Sequence, residues 1–269
     1  AGALAYALKI VINSVYGLTS AKFDCKFKDP RNVDNIVAKR GALFMIDLKH
    51  EVQKRGYTVA HIKTDSIKIP NADQGIIDFV MEFGKKYGYT FEHEATYDRL
   101  CLVNDAVYIA KDKADGHWTA TGTQFQVPFV FKTLFSHEPI EFADLCETKT
   151  VSTALYLDMN ENLPEDEHSY HFVGKVGEFC PIKEGCGGGL LMREANGKYY
   201  SATGAKGYRW MEAEMAAQLK EDVIDTSYFL KLADDAVADI SEYGDHRCGR
   251  WFSRIGNDDK NRHFYSFVL

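Results

Sequence analysis

The sequence predicts an α+β fold, an antiparallel sheet with helices on one face. Three observations lead there. Residues 35–55 and 74–87 repeat apolar side chains at helical spacing. Between them, residues 57–69 (YTVAHIKTDSIKI) hold two short β-prone runs around Thr64-Asp65, a hairpin pattern. Strand candidates follow at 89–96, 99–110 and 117–127. The order helix, hairpin, helix, strands suits a layered α+β domain.

The first helix is read at 3–17, where Leu4, Leu8, Val11 and Val15 recur and Gly17 stands at a C-terminal stop. A polar loop with Asp29-Pro30 leads to the 35–55 helix. Its stripe includes Ala42, Met45, Ile46 and Val52, and Gly56 closes it. Beyond about residue 150 the texture changes. Residues 158–168 (DMNENLPEDEH) are acidic and loop-like, a candidate boundary. Residues 172–209 scatter glycines among short apolar runs, a pattern of small strands and tight turns. Two helices are expected at 208–220 and 226–243. The basic, aromatic stretch 246–269 receives no element. No repeat of fixed period appears.

Composition bounds the function. The 269 residues are 45 % apolar, 26 % charged and 13 % aromatic, which excludes disordered, collagenous and coiled-coil chains. The length allows one large domain or two small ones at ~150 residues each. No run approaches the ~18 uninterrupted apolar residues of a membrane helix, and no charged-then-apolar segment opens the chain. A cytoplasmic location without a membrane partner is the expectation. Six cysteines are too few for a disulfide scaffold and point to a reduced compartment. The chain starts at Ala1 without a methionine and enters a helical pattern at once, which reads as a piece of something longer. The net charge of −7 is uneven: residues 1–70 carry +6, 71–150 carry −6 and 151–269 carry −7. A basic first quarter directs the search for a polyanion site toward the N-terminus.

Two segments there carry chemistry. In Lys9-x-x-x-Asn13-Ser14-x-Tyr16-Gly17, positions 9, 13 and 16 share one helix face. That face could hold a triphosphate by Lys9 and test a base pair with Asn13 and Tyr16. Taken alone, a surface lysine and an N-S-x-Y turn is the plainer reading. The second segment is His61-Ile62-Lys63-Thr64-Asp65-Ser66. A carboxylate at a hairpin tip is stiff enough to place Mg²⁺, which prefers one or two protein carboxylates plus substrate phosphate oxygens. A lone T-D-S is more often just a turn.

Together, in this order and about 50 residues apart, the two segments resemble family B DNA polymerases, closest in style to bacteriophage enzymes. Lys9 to Gly17 matches the K-x-x-x-N-S-x-Y-G pattern throughout, and the hairpin is similar to the family's D-T-D-S motif. The specific likeness covers roughly residues 3–110. The resemblance implies a C-terminal finger helix at 1–20, a palm at 21–150 and a thumb-like region at 151–269. Lys9 would contact the incoming deoxynucleotide's phosphates, Asn13 would line its site, and Tyr16 would pack against the nascent base pair. Asp65 would be the catalytic carboxylate and metal ligand, while Ser66, Gly17, Tyr108 and Lys111 would face primer–template DNA. The sequence departs from the family at Lys63, which stands where the first acid of D-T-D belongs. The family's K-K-x-Y motif has its candidate in Asp105-Ala106-Val107-Tyr108, where only the tyrosine survives, with Lys111 and Lys113 nearby.

Two-metal phosphoryl transfer needs a second carboxylate. The family takes it from a D-x-x-S-L-Y-P strand upstream of the finger helices. Asp47-Leu48-Lys49 and Asp158-Met159-Asn160 lack its spacing and context. The resemblance therefore implies the C-terminal part of a DNA-directed DNA polymerase with two Mg²⁺ ions. An upstream polypeptide would carry that motif, with or without an exonuclease domain, and this chain alone would be inactive. The alternative is a non-catalytic, polymerase-derived DNA-binding or assembly module. A third reading is another metal-dependent nucleotidyl transferase or nuclease. Elsewhere, Cys180 and Cys186 with His168 and His171 lack the usual zinc spacing and read as plain thiols. Gly187-Gly188-Gly189 reads as a flexible turn. Glu92, Glu94 and Asp98 read as solvated charge.

Overall fold

Alternation from Val59 to Ile69 sends Ile62, Ile67 and Ile69 to one side of a hairpin, where two amphipathic helices cover them. That layer is the centre of the first of two units in the computed structural model, which describes residues 2–219, 221–241 and 264–268. The chain is mixed α+β, with two curled antiparallel sheets. Unit 1 takes the chain to Ala106, then Ala110–Gly116 and the strand at 264–268; unit 2 takes Val107–Ile109 and the chain from His117.

Unit 1 begins with α1 (Gly2–Thr19), α2 (Pro30–Val33) and α3 (Ile36–Lys54), followed by β1 (His61–Lys63) and β2 (Ser66–Pro70). Then come α4 (Gln74–Lys86), β3 (Glu92–Leu102) and β4 (Tyr108–Asp112), whose last residues belong here. Phe44, Met45, Leu48 and Val52 of α3 meet Ile76, Val80 and Phe83 of α4 over the sheet. Asp73 starts α4 by accepting the Ile76 N–H at 3.0 Å. Both helices stand where the spacing predicts them, but on α3 only Met45 and Val52 of the expected stripe are buried; Ala42 and Ile46 are exposed, and Phe44 and Leu48 take their place in the core.

Unit 2 contains β5 (Trp118–Ala120), α5 (Thr123–Gln126), α6 (Pro128–Phe131), β6 (Glu147–Asp158), β7 (Tyr170–Ile182), β8 (Leu190–Ala195), β9 (Lys198–Ser201), β10 (Arg209–Glu212), α7 (Ala213–Ala216) and α8 (Ser227–Ser241). Its sheet runs β10-β7-β6-β8-β9. A bridge between Gly189 and Trp210, with N–H···O distances of 2.9 and 2.7 Å, brings β8 back to β10 and curls the sheet. Leu155, Leu157, Phe179, Leu191, Trp210 and Phe229 form its core. The acidic stretch 158–168 connects β6 to β7 within this sheet.

Several expected elements differ. The first helix runs through Gly17 to Thr19, because Gly17 keeps a right-handed backbone and the end is made by Ser20, whose N–H and hydroxyl both reach the Tyr16 carbonyl. No glycine or proline interrupts 92–102, so β3 is one long strand across the expected break at 97–98. The expected 99–110 strand is divided by a turn before Tyr108. The expected 117–127 strand ends early and becomes helical at Thr123. In place of a helix at 208–220, Arg209–Glu212 pair with β7 and, among the described residues of that stretch, only Ala213–Ala216 are α-helical. The long strand β6 had no counterpart in the sequence reading.

The unassigned tail contributes β11 (Phe264–Val268), which lies antiparallel between β2 and β3; the rest of 246–269 falls outside the described residues. Unit 1's strands are thus ordered β1-β2-β11-β3-β4. By mean hydropathy, 1.2 over 18 residues, α1 has the length and composition of a membrane span although Lys9 interrupts its apolar run.

Candidate functional site

The β1–β2 register pairs Lys63 with Ser66, Ile62 with Ile67 and His61 with Lys68. Thr64 and Asp65 are therefore a two-residue tip, and both are exposed. Because side chains alternate, the isoleucines face α3 and α4 while His61, Lys63, Ser66 and Lys68 share the opposite, polar face. β11 extends that face, with Ser266 beside Lys68. The Ser266 hydroxyl donates to Glu94 of β3 at 2.8 Å. Asp65 thus stands at the end of a polar sheet face, and among the described residues its carboxylate has no ion pair.

Burial tunes two groups on this face. His61 is 5 % exposed and donates from Nε2 to the Asp105 carbonyl at 2.9 Å. Desolvation pushes its pKa below the ordinary imidazole value, and the positive charges of Lys68 and Lys63 add to that push. Lys68 is 1 % exposed, and burial lowers its pKa against the favourable charges of Glu94 and Asp65. Lys63, the departure from D-T-D-S, directs its ammonium to the Ala106 carbonyl at 3.5 Å. His61 and Lys63 together fasten residues 105–106 to the hairpin. Two segments singled out separately in the sequence, 61–66 and 105–108, are therefore neighbours through 105–106.

Tyr108 and Lys111 lie on β4. The Tyr108 N–H donates to the Thr121 hydroxyl at 2.9 Å, and its carbonyl accepts from the Thr121 N–H at 2.9 Å. Lys9, Asn13, Tyr16 and Gly17 lie on α1, which has no buried residue. Ser14 is turned back on its own helix, donating to the Ile10 carbonyl at 2.8 Å. α1 is fastened at its C-terminal end to α2, where Asn32 donates to the Thr19 hydroxyl at 2.8 Å. The matched face of α1 is thus presented to solvent.

Asp65 can supply one carboxylate to a Mg²⁺ ion whose remaining ligands are phosphate oxygens and water. Among the described residues no three His, Cys, Asp or Glu side chains form a metal-holding group. Lys68 and the Glu94–Ser266 pair were missed by the sequence reading. The alternation within 61–69 was the available signal for Lys68; the Ser266 partner has none, since 172 residues separate it from Glu94. Glu94 is hydrogen-bonded and sensed by Lys68, so solvated charge is an incomplete description of it.

Unit 1 also has an open cavity of about 870 Å³ between α3 and α4. Lys54 and Arg55 pair there with Glu51 at 2.6 and 2.8 Å, and Arg55 lies 3.6 Å over the Phe79 ring. Lys85 and Lys86 end α4 beside them, favourable positions at a helix C-terminus. In unit 2 the Gly187–Gly189 turn is pinned: Arg209 donates to the Gly187 and Gly188 carbonyls at 3.0 and 2.6 Å. This corrects the flexible reading of that turn. No family model and no curated protein matches the chain.

Proposed function

We propose that this chain is the C-terminal palm and thumb part of a DNA-directed DNA polymerase of the family B kind. Asp65 at the two-residue tip of β1–β2 carries the reading: its hairpin is polar on one side and anchored by Ile62, Ile67 and Ile69 on the other. In this proposal α1 is the C-terminal finger helix, the sheet of unit 1 belongs to the palm, and residues 151–269 are thumb-like. Asp65 is the carboxylate that two Mg²⁺ ions need from this chain; bound there, they would activate the primer 3′-hydroxyl and steady the departing pyrophosphate. Lys9 holds the deoxynucleotide's phosphates, Asn13 lines its site, and Tyr16 borders the new base pair. Ser66, Gly17, Tyr108 and Lys111 contact primer–template DNA. The second carboxylate comes from an upstream polypeptide carrying D-x-x-S-L-Y-P, and the assembly works in the cytoplasm, the host's if viral.

The test is primer extension with Mg²⁺ and a primed template, by the chain alone and mixed with such a polypeptide. Incorporation is expected only in the mixture and is lost with Asp65→Asn while DNA binding persists. Incorporation by the Asp65→Asn mixture would overturn the assignment. One observation favours the alternative, a non-catalytic DNA-binding or assembly module: Lys63 occupies the first acid's position. That module would bind primed DNA and add no nucleotide with any partner.

A further inference from the structure

Cys146 directly precedes β6, and Cys180 lies in β7. The register sets Glu147 against Phe179, so one step further sets Cys146 against Cys180. Their Sγ atoms are 2.8 Å apart. Directly opposed residues on antiparallel strands have Cα atoms ~4.5–5.5 Å apart, inside the ~4.4–6.8 Å that a disulfide spans. A bond between these sulfurs therefore asks for no movement of the strands. Ile182, Met211, Ala213 and Ala216 enclose the pair, and Cys186 packs against the same cluster from a half-buried position. Cys180 is fully buried, while Cys146 retains slight exposure.

We propose that Cys146 and Cys180 are a disulfide-forming modification site whose oxidant is a low-molecular-weight disulfide. Cys146, the more accessible of the two, loses its proton and attacks one sulfur of the oxidant; the released thiolate takes that proton. Cys180 then attacks Cys146 Sγ, expelling the second small thiol, which takes the Cys180 proton. The two protein thiols lose two electrons and the oxidant's S–S bond gains them. Burial raises the pKa of both thiols, which keeps them protonated and makes the exchange slow. The product ties the entry of β6 to the far end of β7 and closes the whole hairpin between them. It constrains the unfolded chain, so the oxidised form resists heat more than the reduced one.

The experiment incubates the native full chain with oxidised glutathione until the pattern of modified and linked cysteines no longer changes with time, then alkylates, digests and identifies linked peptides by mass. A Cys146–Cys180 peptide is expected, with a thermal midpoint that rises on oxidation and reverts with dithiothreitol. Cys146→Ala and Cys180→Ala, checked for folding by circular dichroism, each lose both effects. Recovery of Cys146 and Cys180 as alkylated thiols at that endpoint would overturn the proposal, as would a Cys180–Cys186 link or one between chains.

Discussion

Lys68 is a buried cation on a strand whose neighbours are isoleucines, and it faces His61 across the hairpin. Both pKa values are depressed, so folding weighs against the charged form of each relative to the unfolded chain. As pH falls below the ordinary imidazole value of 6.5, the unfolded chain binds a proton before the folded one does. His61 therefore contributes stability above pH 6.5 that drains away below it. Urea melts at a series of pH values should show that loss in the native chain, and His61→Gln should flatten it. Lys68 acts in the alkaline range: its burial cost is present at neutral pH and is relieved as pH climbs toward 10.5. Lys68→Met should raise the thermal midpoint at pH 7 by roughly 2–4 °C, what about 1 kcal/mol gives a domain of this size. The gain should vanish toward pH 10.5. The same substitution removes a positive charge facing His61, so its NMR titration should move upward.

At the scale of elements, periodicity was legible where contacts are local. α3, α4 and the β1–β2 hairpin are all visible in residues 35–87, since each has its own apolar stripe and stop. Leu48 shows what that stripe is worth: it is fully buried in α3 against the sheet, and Leu48→Ala should cost about 2–5 kcal/mol in a urea melt. Elements that depend on distant partners were not legible. β11 pairs with β2 across nearly two hundred residues, and β10 displaced a helix because β7 lay ready to accept Arg209–Glu212. The glycine run hid a similar dependence. A Cβ on Gly189 would lie 2.5 Å from the Asp158 carbonyl oxygen, and one on Gly188, at φ +68°, 2.6 Å from that of Trp210. Gly185 also has positive φ but meets no atom. Thermal melts should therefore rank Gly188→Ala and Gly189→Ala well below Gly185→Ala, which carries only the ~1–3 kcal/mol backbone penalty.

For the molecule as a whole, the proposed site divides into groups with different expected kinetics. Lys9, Asn13 and Tyr16 matched a motif because helical spacing alone sets their shared face; which surface they serve depends on what lies against α1, and no local pattern encodes that. The place of Asp65 at a hairpin tip was legible because a two-residue tip is local, whereas its setting of Lys68, Glu94 and Ser266 required three strands to meet. If α1 and the hairpin serve one nucleotide, their substitutions separate in the assembled enzyme. Lys9→Ala removes a phosphate contact made before and during reaction, so KM for deoxynucleotide should rise about tenfold with kcat nearly unchanged. Asp65→Asn removes charge needed at the reacting centre, so kcat should fall below detection while the salt dependence of DNA binding stays as it was. Steady-state primer extension distinguishes the two. A fall in kcat without a change in KM for Lys9→Ala would remove α1 from the nucleotide site and leave the hairpin as the part of the proposal still to be judged by Asp65→Asn.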